Sequence, residues 1–216
     1  MTQDTIVAIS TPSGRGGIGI ARLSGPDAQR IAAPMLRLRH PLAAAQARFG
    51  ELLGADGEKL DEIVATLFAA PHSYTGDDVL EIAAHGAPVI LEAIVQQCIA
   101  NGARLANPGE FTERAFLSGR IDLTQAEAVR DLIDAQTLHQ ARIAAQQMEG
   151  ALARRIAPVK QALVELIAAL EAGIDFAEDD IDVMPARSSR RNLLPCANRS
   201  CNSLPALPTA ASCAMA

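Results

Sequence analysis

Several common signals of function are missing from this chain of 216 residues. No apolar run reaches the roughly 18 residues that a membrane-spanning helix needs. The first residues, MTQDTIVAIS, contain neither a basic region nor a long apolar core, so no signal peptide is predicted and we expect a cytoplasmic protein. The Walker A pattern does not occur, and neither of the two lysines, Lys59 and Lys160, follows a glycine loop. We therefore expect this chain not to bind GTP or ATP by that route.

Metal-binding and catalytic patterns are absent as well. Cys196, Cys201 and Cys213 have no zinc-site spacing and no histidine nearby. The acidic run at 175–182, DFAEDDID, lacks the spacing of an EF-hand, so a solvated helix end or a linker is the better interpretation. No nucleophile stands beside a base. The sequence therefore predicts no metal site and no catalytic residue.

Charge and composition change abruptly near residue 186. Residues 187–216 contain no Asp, Glu, Gly or Lys, but hold three of the four cysteines and four of the nineteen basic residues. The preceding 186 residues carry fifteen basic and 25 acidic residues, a net charge of -10. This acidity argues against strong non-specific binding of nucleic acid through residues 1–186. We interpret residues 187–216 as a disordered tail or a reading-frame artefact.

Hydrophobic patterns predict strands and helices that do not alternate regularly, which favours an α+β fold for residues 1–120. Strands are predicted at 5–10, 18–24, 47–53, 60–68 and 79–84, the first two as a hairpin. Helices are predicted at 26–38 and 86–100.

A second pattern begins at Leu123. Apolar residues recur every three or four positions from 138 to 174, which predicts one long amphipathic helix. Pro158 interrupts the pattern and should kink this helix or mark a junction. The apolar stripe needs a partner, which could be further chain, a second copy or the β-containing region.

The most constrained stretch is 107–135, NPGEFTERAFLSGRIDLTQAEAVRDLIDA. Asn107, followed by proline and then Glu110, predicts a capping box at a helix start. Ser118-Gly119 should end that helix, and Asp122 or Thr124 should cap the next one. Arg120 falls in the turn between the two helices. The stretch therefore looks built to present Arg120 to a ligand or partner.

Two further charged residues lie in predicted strands. Alternation places Glu81 and His85 on one open face of VLEIAAHG, where Glu81 could be a solvent-facing acid or could recognise paired N–H groups. Arg22 could lie at an exposed edge or could bind a carboxylate or a flat ring. The glycines of GRGGIG match a dinucleotide fingerprint by letter, but they lead into a predicted strand, so we reject that interpretation in favour of a hairpin loop.

Four stretches together resemble the tRNA modification GTPase family MnmE, also called TrmE. They are DTIVAISTPSGRGGIGIARLSG, SYTGDDVLEIAAHGAPVIL, the 107–135 stretch and IDFAEDDID, and they cover residues 4 to about 185 in the order of the family. The resemblance implies a folate-binding and dimerisation domain at 1–120 and the start of a helical domain at 121–186. It also implies a homodimer that acts on the wobble uridine (U34) of tRNA with the FAD-dependent partner MnmG.

The same resemblance implies ligands and site residues. The cofactor would be a tetrahydrofolate derivative, either 5,10-methylene- or 5-formyl-tetrahydrofolate, bound by Arg22, Glu81 and Arg120. Many family members have lysine at the position of Arg120, which keeps the positive charge but changes its geometry. GTP, potassium and magnesium belong to a G domain that should follow residue 186 and is not found in this sequence.

Two other functions remain open at this point. The chain could act alone as a folate-dependent one-carbon or aminomethyl transferase. It could also be a structural module that only dimerises. Turnover of a folate without GTP would favour the transferase, whereas sedimentation combined with folate titration would identify the purely structural module.

Overall fold

The computed structural model describes residues 4–175, and the chain divides into two compact units, Met1–Ile121 and Asp122–Ala216. The predictions for residues 176–216, including the acidic run after Asp175 and the cysteine-containing tail, lie outside the described residues. The first unit combines a sheet with helices, and the described part of the second is helical, so the expected α+β class is confirmed.

A seven-stranded mixed sheet forms the first unit. In spatial order the strands run β3-β4-β5-β6-β2-β1-β7, antiparallel throughout except for the parallel β1–β7 pair. The strands are β1 (Ile6–Ile9), β2 (Gly16–Ser24), β3 (Leu36–Leu38), β4 (Ala47–Leu53), β5 (Lys59–Phe68), β6 (Val79–Gly86) and β7 (Arg104–Leu105). The predicted β1–β2 hairpin is confirmed.

Helices α1 and α2 cover one face of this sheet. The helices of the first unit are α1 (Ala28–Ala32), α2 (Pro88–Ala100) and α3 (Glu110–Leu117). Alternate residues of the central strands, among them Leu23, Leu80 and Ile82, are fully buried in one core with the apolar sides of α1 and α2. Because side chains alternate along a strand, the residues between these apolar positions project from the opposite face of the sheet.

Two predicted helices of the first unit begin or end at other residues than expected. The helix predicted at 26–38 ends at Ala32, continues as a short 3₁₀ helix over Ala33–Met35, and gives way to β3. Pro34 explains this ending, because proline lacks the N–H that a continued α-helix would bond to the Arg30 carbonyl. The helix predicted from residue 86 begins at Pro88, since Gly86 still belongs to β6.

The second unit contains α4 (Leu123–Ile133), α5 (Leu138–Met148) and α6 (Ala151–Asp175) in its described part. Asp122 caps α4, and its side chain accepts a bond from the Gln125 N–H, which confirms one of the two predicted caps. The prediction of a single helix over 138–174 is wrong. The helix is interrupted at Gly150, whose φ of 74° lies outside the helical region. Pro158, where the junction was expected, lies inside α6.

Helix α6 carries an apolar stripe that remains about half exposed. The exposed fractions are 47% for Ile156, 49% for Leu163, 46% for Ile167, 50% for Leu170 and 75% for Ile174. An exposed apolar surface of this length favours association. We expect the purified chain to self-associate in sedimentation velocity, with the sedimentation coefficient rising with concentration.

Charged substitutions on the stripe should remove this self-association. The test variant carries Leu163→Glu and Leu170→Glu. The control adds the same charge at Gln161 and Ala168, two other exposed positions of α6. A wild-type chain that sediments as a monomer at all concentrations would contradict the prediction.

Candidate ligand-binding site

Arg22 and Glu81 form a cross-strand pair on the open face of the sheet. Strands β2 and β6 are antiparallel, and their register places Arg22 directly opposite Glu81. The Arg22 side chain donates two hydrogen bonds to Glu81 Oε1, from Nε at 2.9 Å and from Nη2 at 2.6 Å. About 30% of the Arg22 side chain and 25% of the Glu81 side chain are exposed. The pair is thus ordered by the sheet and still accessible to a ligand.

The hydrogen bonding of this pair leaves one acceptor and one donor unused. Both recorded bonds end on Oε1 of Glu81, and within residues 4–175 neither Glu81 Oε2 nor Arg22 Nη1 has a hydrogen-bond partner. A carboxylate oxygen accepts and a guanidinium nitrogen donates, so the pair retains a free acceptor atom and a free donor atom. These two atoms suit a ligand that both donates and accepts hydrogen bonds.

An apolar row lies next to the pair on the same face. It runs across four strands and consists of Phe49, Val64, Ala83 and Ile20, each paired with the next by register. Phe49 is 41% exposed and Val64 is 37% exposed. A charged pair beside an accessible apolar surface is the arrangement expected of a site for a flat, partly polar ring.

His85 lies on the same strand as Glu81 and has a carboxylate partner. Its Nδ1 lies 2.6 Å from Asp61 Oδ1, and its backbone N–H donates to Asp61 Oδ2 at 2.8 Å. Burial of Asp61 works to raise its pKa, but the interactions with His85 and the bond from the Glu62 N–H together outweigh burial and lower the pKa. The pair joins β5 to β6, and no nucleophile is recorded beside His85 in the described part of the chain. We assign it a structural role.

Arg120 is not bonded to the charged pair. Its backbone N–H donates to the Ala115 carbonyl in the turn after α3, while its side chain is exposed and lies close to Gly76. Among the described residues no hydrogen bond or ion pair joins Arg120 to Arg22 or Glu81. The structure therefore brings together two of the three residues predicted to bind the ligand, and it places the third at the far end of α3.

Phe111 is a neighbour of Arg22 that sequence reasoning missed. The Arg22 Cζ atom lies over the Phe111 ring, 5.7 Å from its centroid. Phe111 occurs within the highly constrained 107–135 stretch, but nothing in its local pattern distinguishes it from a core aromatic residue. Its contact depends on how α3 packs against β2, which the sequence does not reveal.

The start of α3 differs from the predicted capping box. The helix begins at Glu110, preceded by Gly109 with a φ of 79°, and no side chain caps it. Asn107 is therefore not the cap that was expected. One half of the predicted box is nevertheless present, because Glu110 Oε2 accepts a bond from the Asn107 N–H at 2.8 Å.

Glu110 belongs to an ionic cluster that we call the α3 anchor, formed by the buried Glu110 and Arg114 and the partly exposed Asp4 and Arg104. Glu110 Oε1 accepts from Arg104 Nη2 at 2.6 Å and from Arg114 Nη2 at 3.0 Å. Arg114 also donates to the Asp4 carboxylate at 2.8 Å and to the Asp4 backbone carbonyl at 2.9 Å. The cluster ties α3 to the start of β1 and to β7.

Electrostatics in the α3 anchor favour the charged forms. Hydrogen bonding from Arg104, then from the Asn107 N–H and from Arg114, opposed by burial, lowers the pKa of Glu110 to about 2. The same interactions with Glu110 and Asp4 raise the pKa of Arg104. Only 3% of the Arg114 side chain and 7% of the Glu110 side chain are exposed, so each depends on the other for charge compensation.

The glycine loop between β1 and β2 borders an open pocket of about 260 Å³. The loop is tied to β2, where the Ile20 N–H donates to Thr11 Oγ1 at 3.2 Å. The residues after the loop form strand β2 and not a helix, which agrees with the rejection of a dinucleotide-binding fingerprint.

The described residues contain no cluster of metal-ligating side chains and no helix long and apolar enough to cross a membrane.

Comparison with known families matches both units. A family model described as the GTP-binding protein TrmE N-terminus matches residues 5–120, and a model described as the MnmE helical domain matches residues 123–204. The second match extends past residue 186, where the composition of the chain changes.

Curated relatives agree with these matches. A tRNA modification GTPase MnmE from Koribacter versatilis is 60% identical over 191 residues, which cover 87% of this chain and 42% of that protein. Proteins of the same name from Chloroflexus aurantiacus and Chromohalobacter salexigens are 52% and 48% identical over 182 residues each. The chain spans about two fifths of the length of these relatives, 39% to 42%. From the two family matches together with these identities, the chain belongs to the MnmE (TrmE) family of tRNA modification GTPases.

Proposed function

We propose that this chain is the N-terminal, folate-binding part of an MnmE-type tRNA modification protein. The observation that carries the proposal is the Arg22–Glu81 pair, which lies on an accessible sheet face with one acceptor and one donor unused. The ligand would be a tetrahydrofolate derivative, either 5-formyl- or 5,10-methylene-tetrahydrofolate. Its role would be to supply a one-carbon unit to C5 of the wobble uridine of tRNA.

The chemistry of a reduced folate fits the two free atoms of the pair. The pterin ring carries an N–H beside a carbonyl oxygen, so the N–H can donate to Glu81 Oε2 while the carbonyl accepts from Arg22 Nη1. The adjacent apolar row offers a surface for the rest of the flat ring system. Arg120, exposed and without a recorded side-chain partner in the described residues, is the cation proposed for a carboxylate of the glutamate tail.

The full cycle requires parts that are not found in these 216 residues. GTP hydrolysis with potassium and magnesium would take place in a G domain, because this sequence contains no Walker A pattern. We propose that the chain forms a homodimer through its first unit and works in the cytoplasm with MnmG on tRNA. The chain alone is proposed to bind folate without hydrolysing GTP.

Titration with 5-formyl-tetrahydrofolate tests this proposal. We expect the 216-residue chain to bind the compound in isothermal titration calorimetry. Glu81→Ala and Arg22→Ala should each weaken binding at least about tenfold, since each removes a charge-assisted hydrogen bond worth roughly 1.5–3 kcal/mol.

A neighbouring acid supplies the control. Glu62→Ala removes a carboxylate that lies on the adjacent strand β5 and is bound to Lys59, away from the Arg22–Glu81 pair. This variant should bind like the unchanged chain. Equal affinity of Glu81→Ala, Arg22→Ala and the unchanged chain would overturn the proposal, as would the absence of any binding.

A further inference from the structure

One aromatic side chain beside the charged pair is not explained by packing of the core. Phe111 is half-buried and does not belong to the hydrophobic cluster between the sheet and its helices. Its ring lies instead against the guanidinium of Arg22, 5.7 Å from Cζ to the ring centroid. An aromatic ring held at a charged, accessible pair is better placed to contact a ligand than to stabilise the core.

The position of Phe111 is fixed from both sides along α3. The preceding residue, Glu110, is part of the α3 anchor and is bonded to Arg104 and Arg114. The following residue, Thr112, lies 3.0 Å from the Tyr74 hydroxyl in a side-chain hydrogen bond. Because both neighbours are held, the first turn of α3 cannot rotate or slide freely. The Phe111 ring is therefore pre-organised over Arg22.

Hydrogen-bond geometry determines how a ligand would meet this ring. The N–H donors of a guanidinium lie in its plane, so an acceptor bound to Arg22 Nη1 continues that plane outward. A flat ring that also donates to Glu81 Oε2 is held at two points along one edge. The Phe111 ring, whose centroid lies 5.7 Å from Cζ of the same guanidinium, is near enough to contact a ring bound there.

We propose that Phe111 forms one wall of the site and packs against the ring of a ligand whose edge is bound by Arg22 and Glu81. This inference rests on the proposed folate site and adds a residue that selects for planar, ring-bearing ligands. The α3 anchor has a positioning role in it, because it holds the first turn of α3 where the ring meets Arg22.

Affinity for 5-formyl-tetrahydrofolate tests the role of the ring. Phe111→Leu keeps an apolar side chain but removes the aromatic face, so we expect binding to weaken about fivefold. Phe111→Tyr keeps the ring and should retain most of the affinity. Phe116→Leu makes the same change on the same helix at a position 40% exposed, and it should leave binding unchanged.

The outcomes separate this inference from the proposed function. If the unchanged chain binds the folate and Phe111→Leu binds equally well, the inference is overturned while the folate site stands. A loss in Phe111→Tyr as large as in Phe111→Leu would also overturn it, since the ring would then not matter. If the unchanged chain does not bind, the proposed function is overturned and the inference with it. Circular dichroism melting curves that match across the variants confirm that they are folded.

Discussion

Glu110→Ala is expected to lower the free energy of unfolding of the first unit by about 3 kcal/mol, because it removes one partner from a buried ion pair. The substitution leaves the Arg114 guanidinium buried, with 3% of its side chain exposed and with Asp4 as its remaining carboxylate partner. It also removes both bonds by which Arg104 reaches α3. Urea denaturation followed by circular dichroism measures the loss.

A matched control and the pH dependence make this prediction specific. Glu113→Ala removes an exposed acid from the same helix and should cost less than about 0.5 kcal/mol. The pKa of Glu110 is about 2 in the folded chain, below its ordinary value of 4.5. A depressed folded-state pKa stabilises the fold above the unfolded-state value, and this stabilisation is lost as the pH falls towards about 2.

The stability gap between the unchanged chain and Glu110→Ala should therefore be smaller at acidic pH than at neutral pH. Denaturation curves measured at pH of about 7 and about 3 compare the two conditions. A gap that stays constant, or that widens in acid, would contradict the assigned charge state of Glu110. Equal stability of Glu110→Ala and Glu113→Ala at neutral pH would contradict the α3 anchor as a whole.

Gly25→Ala should also be strongly destabilising, by about 2–3 kcal/mol, because it combines backbone strain with a steric clash. Gly25 directly follows strand β2 and has a φ of 142°, a conformation that residues with a side chain rarely adopt. An added Cβ would lie 2.6 Å from the Thr5 Cα and 2.8 Å from the Asp4 carbonyl oxygen. These are backbone atoms and cannot move aside as a flexible side chain would.

Gly57 offers a control with strain but no clash. It has a φ of 80° in the turn before β5, and an added Cβ would meet nothing within 4 Å. Gly57→Ala should cost about 1 kcal/mol from strain alone. Similar losses in both variants would show that the close approach of Gly25 to Thr5 and Asp4 does not matter.

Local patterns were sufficient to predict one half of the candidate site. The alternation in VLEIAAHG correctly placed Glu81 and His85 on the open face, because Leu80, Ile82 and Ala84 must turn to the core. The same argument placed Arg22 on one face of the sheet and Ala21 and Leu23 on the other, and the structure buries Ala21 and Leu23. These conclusions depend only on the period of a strand, which neighbouring residues determine.

The pairing of these residues could not be predicted from local pattern. Arg22 and Glu81 are 59 positions apart, and they meet because β2 and β6 are neighbours in the sheet despite five intervening elements. Asp4 and Arg114 of the α3 anchor are 110 positions apart. Register and packing of this kind are set by the whole fold, which also explains why Phe111 was missed.

The errors in the helices have a different origin. The spacing of apolar residues is the same before and after Gly150, so a single helix was predicted. The structure has two helices there, α5 and α6. Gly150 interrupts the helix because it adopts a left-handed φ. Pro158 was expected to mark the junction, but it lies inside α6. In the first unit the effect of Pro34 was overlooked, although it ends a helix for the expected reason.

A crystal structure of the chain soaked with 5-formyl-tetrahydrofolate would locate the ligand itself. We expect the pterin ring at the open face of the sheet, with its N–H about 3 Å from Glu81 Oε2 and its carbonyl at a similar distance from Arg22 Nη1. A pterin ring bound elsewhere on the chain, with the bonds of Arg22 and Glu81 unchanged from those of the free protein, would contradict it.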